Sequence, residues 1–344
     1  MRELARAGAG VARPSASAAV INGGMQYQLF AVGDEPYCLW EEDIADRTSE
    51  FLKGLDPDYF TYLLQVHMAA EDERHASAGI RVALHHAVET MFSLLGAFTQ
   101  APQCPHAWIA RCRTEELRDV VRRIGSKDET LITPWAVASM GWQTVAKLVF
   151  RQFKPGTVEQ DKTITGFSKA WEGMSVDLLS EVINQEYNAI KHGLRMTLGG
   201  FKVEISRLPV SGQEVEGLEM LTLGGSKFGG MFFNVEKVDG NGGRHLQSKR
   251  IAVNWSPERD LLLLQLAQFS IHNLVSALRV ANGTAPEECS FVTPTDDDAY
   301  LKPWTHSPSA ISWTLDSAVD ASQLPEMKKA EMLEKLRAVK KSKK

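Results

Sequence analysis

Apolar positions recur at intervals of three and four from about residue 57 to residue 195, which predicts a run of amphipathic helices. In "LDPDYF", Asp56 reads as an N-cap and Pro57 as the first helical residue. Helical periodicity then runs to about Gln100, with a break near Asp72–His75, and the prolines of "QAPQCP" stop it. "HAWIARC" predicts a short helical turn. "TEELRDVVRRIG" has acids in its first turn, arginines in its last and Gly125 to end it, as the helix dipole and C-cap preferences favour. Thr133-Pro134 opens "PWAVASMGWQTVAKLVFRQF", which ends before Pro155. Further helices are expected over about 159–172 and 175–195, giving a bundle of roughly six with short links.

After Gly199-Gly200 the period drops to two. "FKVEISRL", "EGLEMLTL", "GGMFFNVEKV" and "SKRIAVNW" read as a small antiparallel meander broken by Gly, Asp and Asn turns. Ser256-Pro257 then opens a long helix, apolar nearly all round and ending at Asn282-Gly283, so it should be buried, between sheet and bundle. Residues 284–325 read as loop and tail, and "PEMKKAEMLEKLRAVKKSKK" as a weakly amphipathic helix fraying into lysines. The fold class is therefore mainly α: a helical bundle followed by a small antiparallel β meander and a long buried helix. The expected divisions are a disordered leader at 1–24, a helical bundle at 25–198, an α+β segment packed on it at 199–283, and a loop with a basic C-terminal tail at 284–344. Within the bundle segment, residues 25–55 read as irregular, with short strands or turns.

Composition narrows this little. The 344 residues carry a net charge of −5, which gives no bulk electrostatic signal for nucleic acid. Cys38, Cys104, Cys112 and Cys289 form no CxxC pair and read as reduced thiols of a cytoplasmic protein. No apolar run reaches the ~18 residues that span a bilayer, so no membrane association is expected. The leader holds Arg2, Arg6 and Arg13 without the apolar stretch of a secretory signal.

Candidate chemistry concentrates in "QEYNAIKHGLR". On a helix over 175–195, Val176, Leu179, Ile183, Tyr187, Ile190 and Leu194 form one apolar stripe. Asn188, His192 and Arg195 fall on the opposite side, Asn188 and His192 one turn apart. The plain reading is a solvated helix end, with Lys191, His192 and Arg195 complementing the dipole and Gly193 as C′ residue. The chemical reading takes His192 as proton carrier, Asn188 as its positioning partner and Arg195 as a phosphate contact, with Lys191 also able to bind substrate. That set suffices for RNA cleavage without metal, through an activated 2′-hydroxyl and a cation on the phosphorus oxygens.

A second polar track, Arg81, His85 and Glu89, runs at i, i+4 and i+8 beside the apolar stripe of the 76–99 helix. It reads first as an internal ion network. Read more sharply, it adds substrate-binding groups, with Arg81 joining the His192 cluster. A di-iron bundle would need a Glu-x-x-His pair on each of two helices. The chain offers Asp72-x-x-His75 and the His85, His86 and Glu89 group instead, so neither metal nor cofactor is expected. "GGSKFGG" at 224–230 lacks the order of a phosphate loop and reads as a hairpin turn.

"YNAIKHGLR" near the end of a helical bundle resembles the HEPN superfamily, compact helical domains of ribonucleases, toxins and phage-defence proteins. Asn188 and His192 match the asparagine and histidine of its signature, and Tyr187 stands where the arginine would be. The resemblance spans about residues 57–198. It implies RNA as substrate or partner, a toxin or phage-defence setting, and a homodimer with the motifs at its interface. The expectation is a cytoplasmic protein that binds or cleaves RNA without metal. The alternative is a non-catalytic structural or interaction protein on a degenerate bundle, which Tyr187 favours. An enzyme of another class, with its pocket between bundle and sheet, is a third.

Overall fold

A computed structural model describes residues 19–20, 25–192, 195–206, 220–238, 245–316, 319–320, 322, 324–325 and 328–341. Helices dominate, and the sheets are small and antiparallel. The chain divides into two compact units, Met1–Asn184 with Ser256–Ser307, and Gln185–Trp255 with Pro308–Lys344. The long helix expected to accompany the sheet thus belongs with the helices. The expected leader, apart from residues 19–20, and the last three lysine-rich positions lie outside the described residues.

The first unit opens with a three-stranded sheet, β1 (Ala19–Val20), β2 (Gln26–Val32) and β3 (Glu35–Glu41), in sequence order. Gln100 clasps the β2–β3 turn. Its side-chain amide donates to the Gly33 carbonyl at 2.8 Å and accepts from the Gly33 N–H at 2.9 Å. Arg123 holds the same turn through Asp34 at 2.7 Å. Helix α1 (Ile44–Gly54) follows, capped by the Asp43 carboxylate on the Asp46 N–H. Periodicity missed it because its apolar positions are few.

Helix α2 (Tyr59–Met68) starts two residues later than Pro57 suggests, because the Asp56 carboxylate instead takes the Asp58 N–H in a turn. The expected break near Asp72 is real, and Asp72 caps α3 (Glu73–Gln100) by accepting from the N–H groups of Arg74 and His75. The predicted short helix is α4 (Pro105–Arg111). The predicted helix at Thr114 is α5 (Thr114–Ser126), although Lys127, at φ +57°, rather than Gly125, ends it. The helix expected from Thr133 is largely absent, since α6 spans only Trp142–Val149. Residues 134–141 are instead anchored to the end of α3, where the Thr133 hydroxyl donates to the Thr99 carbonyl and the Trp135 indole to that of Phe98.

Helix α7 (Val158–Leu179) absorbs the start of the expected 175–195 helix and ends at Ser180, where the backbone turns extended. Helix α8 (Glu181–Lys191) begins afresh after it, its first turn in the first unit and the rest in the second. The wheel drawn through residue 175 therefore fails at its start, and Val176 is exposed.

The core of the first unit is built around α3 and α9 (Pro257–Ala281), which pack along each other. Both carry apolar residues on more than one face because neighbours surround them. Phe92, Leu95 and Phe98 of α3 and Leu264, Leu274 and Leu278 of α9 are buried. Burying each such side chain favours folding by ~1.5–3 kcal/mol. Among the described residues α9 is long and apolar enough to cross a membrane, but most of its apolar window is buried inside this unit, as a core helix requires.

The segment after α9, expected to be loop, is packed structure through Ser307. It forms 3₁₀ turns at Pro286–Glu288, Asp297–Tyr300 and Lys302–Thr305. Tyr300 and Trp304 sit against Gly166 and Gly173 of α7, where an added Cβ would come within 2.5 and 2.2 Å of the rings. Glycine inside α7 is thus the space these aromatics occupy.

The second unit holds β4 (Met196–Leu198), β7 (Gly229–Lys237), β8 (Leu246–Asn254) and β9 (Ser312–Leu315), hydrogen-bonded in that order. A separate hairpin pairs β5 (Lys202–Ser206) with β6 (Met220–Gly225). "GGSKFGG" consequently links strands of different sheets and is no hairpin turn. Asn254 ties the unit together. Its side chain accepts from the Phe201 N–H at 2.8 Å and donates to the carbonyls of Phe201 and Ala310. The C-terminal helix α10 (Lys329–Lys341) is also present, with Leu333 and Leu336 exposed.

Candidate functional site

Helix α8 places the predicted cluster. Glu186, Ala189 and Ile190 face inward, while Asn188, Lys191 and His192 are exposed, as is Arg195 just beyond. The helix end is closed by backbone bonds from the His192 N–H to the Asn188 carbonyl and from the Arg195 N–H to the Ala189 carbonyl, at 3.2 and 2.7 Å. The Arg195 guanidinium reaches back toward the same Asn188 carbonyl at 3.5 Å. Lys191 lies over the half-buried Tyr187 ring, 5.2 Å from its centroid, a cation–π contact. Asn188, His192 and Arg195 therefore share one exposed turn. The cations sit where the helix dipole favours them.

The inward side carries a feature the helical wheel overlooked. Glu186 has no exposed surface, and the Trp255 indole N–H donates to its carboxylate at 2.8 Å. A buried carboxylate requires such donors. Glu186 thereby fixes α8 to the end of β8 and turns Asn188 and His192 outward.

The second predicted track lies in the first unit. Arg81 is 5% exposed, and its guanidinium donates to the Asp260 carboxylate of α9 at 2.9 Å, with Asp260 1% exposed. His85 is buried and Glu89 half-buried on the same helix. The Arg81 charge is engaged across the α3–α9 interface by an aspartate outside the Arg81–His85–Glu89 network that the plain sequence reading expected. His192 belongs to the other unit.

Several titratable groups elsewhere are held by their local structure. The Asp128 carboxyl is held down to about 2 by the hydroxyl and N–H of Thr130 and by Arg123. Burial pushes the Cys104 and Cys112 thiols up to about 12, which removes them as nucleophiles at neutral pH. Asp72 and His75 are spent on the α3 cap, with the His75 ring 2.8 Å from the carboxylate. Among the described residues no group of three or more His, Cys, Asp or Glu is placed to hold a metal ion. A cleft of about 930 Å³ lies along α9, where Leu262, Leu266 and Phe269 face Asp296, Asp298 and Leu301.

The four-stranded sheet shows what the sequence reading passed over. Paired residues share a face, and Phe233 stands opposite Arg250, Val235 opposite Ser248, Lys237 opposite Leu246, and Leu315 opposite Arg250. Trp313, opposite Ala252, belongs to the same face. On this face Phe233 is 62% exposed, Leu246 63% and Val235 56%. The other face holds Phe232, Ile251 and Val253, buried, then the half-buried Asn234, Glu236, Gln247 and Lys249. Alternation in "FFNVEKV" identified both faces but not which one is open.

Comparison with known protein families, curated proteins and solved structures finds no match for this chain.

Proposed function

We propose that this chain is a non-catalytic interaction protein, whose helical unit is a rigid scaffold and whose sheet unit presents a docking surface. One observation carries this reading. In the outer half of the four-stranded sheet, the apolar side chains of Phe233, Val235 and Leu246 face outward, while polar ones occupy the more covered side. A solvated sheet has the opposite polarity, and contiguous exposed apolar surface marks interaction sites. Ile205 and Leu221, paired on the β5–β6 hairpin, extend the apolar exposure of this unit. Affinity isolation with the native chain and with Val235→Ser/Leu246→Ser, followed by reconstitution from purified components, tests it. A partner held at fixed stoichiometry should be lost from the double variant. Equal recovery with both chains would sink the reading.

A second reading is favoured by the shared exposure of Asn188, His192 and Arg195 at the end of α8. In it, a HEPN-like homodimer binds RNA or cleaves it without metal, in a toxin or phage-defence setting. Incubation of the chain with mixed RNA in chelator, beside His192→Ala, decides between them. Cleavage that disappears in the variant supports the nuclease, and none in either leaves the interaction reading in place.

A further inference from the structure

The polarity of the four-stranded sheet also specifies what would cover it. The inference rests on the interaction reading above and identifies the chemistry of the partner. On the open face, the large exposed side chains are Phe233, Val235, Leu246, Trp313 and Leu315. The charged groups in its strands are Arg250 and Lys237, both cations. Arg250 lies over the Phe233 ring, 5.4 Å from its centroid, and so remains at the centre of the apolar patch.

The acids are on the reverse. Glu236 takes Lys249 at 2.8 Å, and Asp316 takes both Lys249 and Gln247. The reverse face thus sets two acids against one lysine, and the open face keeps a net positive charge.

Three occupants can be compared on that charge. A second copy meeting face to face would bring Arg250 and Lys237 against their own kind. The chain's own exposed amphipathic helix α10 carries five cationic side chains and two acidic ones, so it meets the same repulsion. RNA would satisfy the cations, but its affinity comes mainly from neutralised phosphates, and this face offers two cations among five large apolar groups. Three of the five are aliphatic and give a base no ring to stack on. A partner with apolar anchors and carboxylates at their edges satisfies every group. A helix laid on the face is the layer that sheets of this size usually receive.

We propose that the open face of the β4-β7-β8-β9 sheet docks an amphipathic helix with acidic margins, supplied by a different protein. Its leucine-type anchors cover Val235, Leu246 and Leu315, and its carboxylates meet Arg250 and Lys237.

Two synthetic helical peptides test this, identical in their leucine stripe and flanked by Glu in one and Lys in the other. Each is titrated against the full chain by fluorescence anisotropy. The Glu peptide should bind at least ~10-fold more tightly, a difference of about 1.4 kcal/mol. Arg250→Glu should reverse that preference. Val235→Ser/Leu246→Ser should weaken the Glu peptide by at least ~10-fold with an unchanged circular dichroism spectrum, the loss expected for central apolar anchors. Absence of binding by either peptide, equal affinities, or a preference for Lys overturns the proposal. So does a concentration-dependent dimer, by light scattering, that Val235→Ser/Leu246→Ser abolishes. Displacement of the Glu peptide by a short oligouridine whose own binding is lost in Phe233→Ala overturns it in favour of RNA. If the charge preference fails while the partner isolated above still depends on Val235 and Leu246, the acidic chemistry falls and the interaction reading stands. If neither depends on them, both fall.

Discussion

The helical unit and the sheet unit use apolar residues in opposite ways. In the helical unit, α3 and α9 carry apolar residues on several faces and bury them, and the Arg81–Asp260 charge pair is enclosed with them. In the sheet unit, Phe232, Ile251, Val253 and Trp255 form a small buried centre, while Phe233, Val235, Leu246 and Leu315 stand in solvent. A single hydrophobic core needs enough surrounding elements to cover it. The first unit has them, and the second has an open sheet face. One unit thus encloses its apolar side chains, and the other leaves a row of them exposed.

Four measurements can break or sharpen this contrast. The largest effect belongs to the helical unit. Arg81→Ala removes the cation 2.9 Å from the buried Asp260 carboxylate, so urea unfolding should show a loss of ~3–5 kcal/mol. Arg81→Met with Asp260→Leu should recover most of it, because two apolar groups need no partner. In the buried centre of the sheet unit, Trp255→Phe removes one donor from Glu186 and should cost ~1–3 kcal/mol. Tryptic cleavage near 192–195 should rise in this variant as α8 loosens from the end of β8.

On the open face of the same unit, Val235→Ser/Leu246→Ser should change stability by no more than ~0.5 kcal/mol, since both side chains are more than half exposed. A loss as large as that at Arg81 would mean the face is already packed, and the contrast between the units would disappear. The smallest effect concerns Asp128, which is half-buried at the surface and partly screened. Its carboxyl is lowered to about 2 when folded, against ~3.9 unfolded. Its contribution is therefore present above pH ~4 and lost as the pH falls from ~4 to ~2. Denaturant midpoints measured across that window should fall less steeply for Asp128→Asn than for the native chain.

Much of the helical unit was legible. Helices α3, α5 and α9 appear where periodicity puts them, with Asp72 and Ser256 capping the first and last. The errors share a cause. Thr133-Pro134 is a sound local helix start, but hydrogen bonds to the end of α3 outweigh it. The 284–307 stretch looks like loop until Tyr300 and Trp304 meet glycines of α7 more than a hundred residues earlier in the chain. At α8, the outward placement of Asn188, His192 and Arg195 was readable from spacing. The buried Glu186 was not, because a wheel assigns charge to solvent, and the indole donor on its carboxylate comes from Trp255, distant in sequence.

By itself the sequence determined most of the long helices and the strands after Gly200, and which side chains alternate together along each strand. Those properties depend on neighbours within about one helical turn or one strand. Only the tertiary structure decided which strand face stays open, that the long apolar helix belongs with α3, and that Arg81 spends its charge on Asp260. Each depends on what a distant segment brings within a few ångströms, and the pattern of polar and apolar residues leaves that contact open.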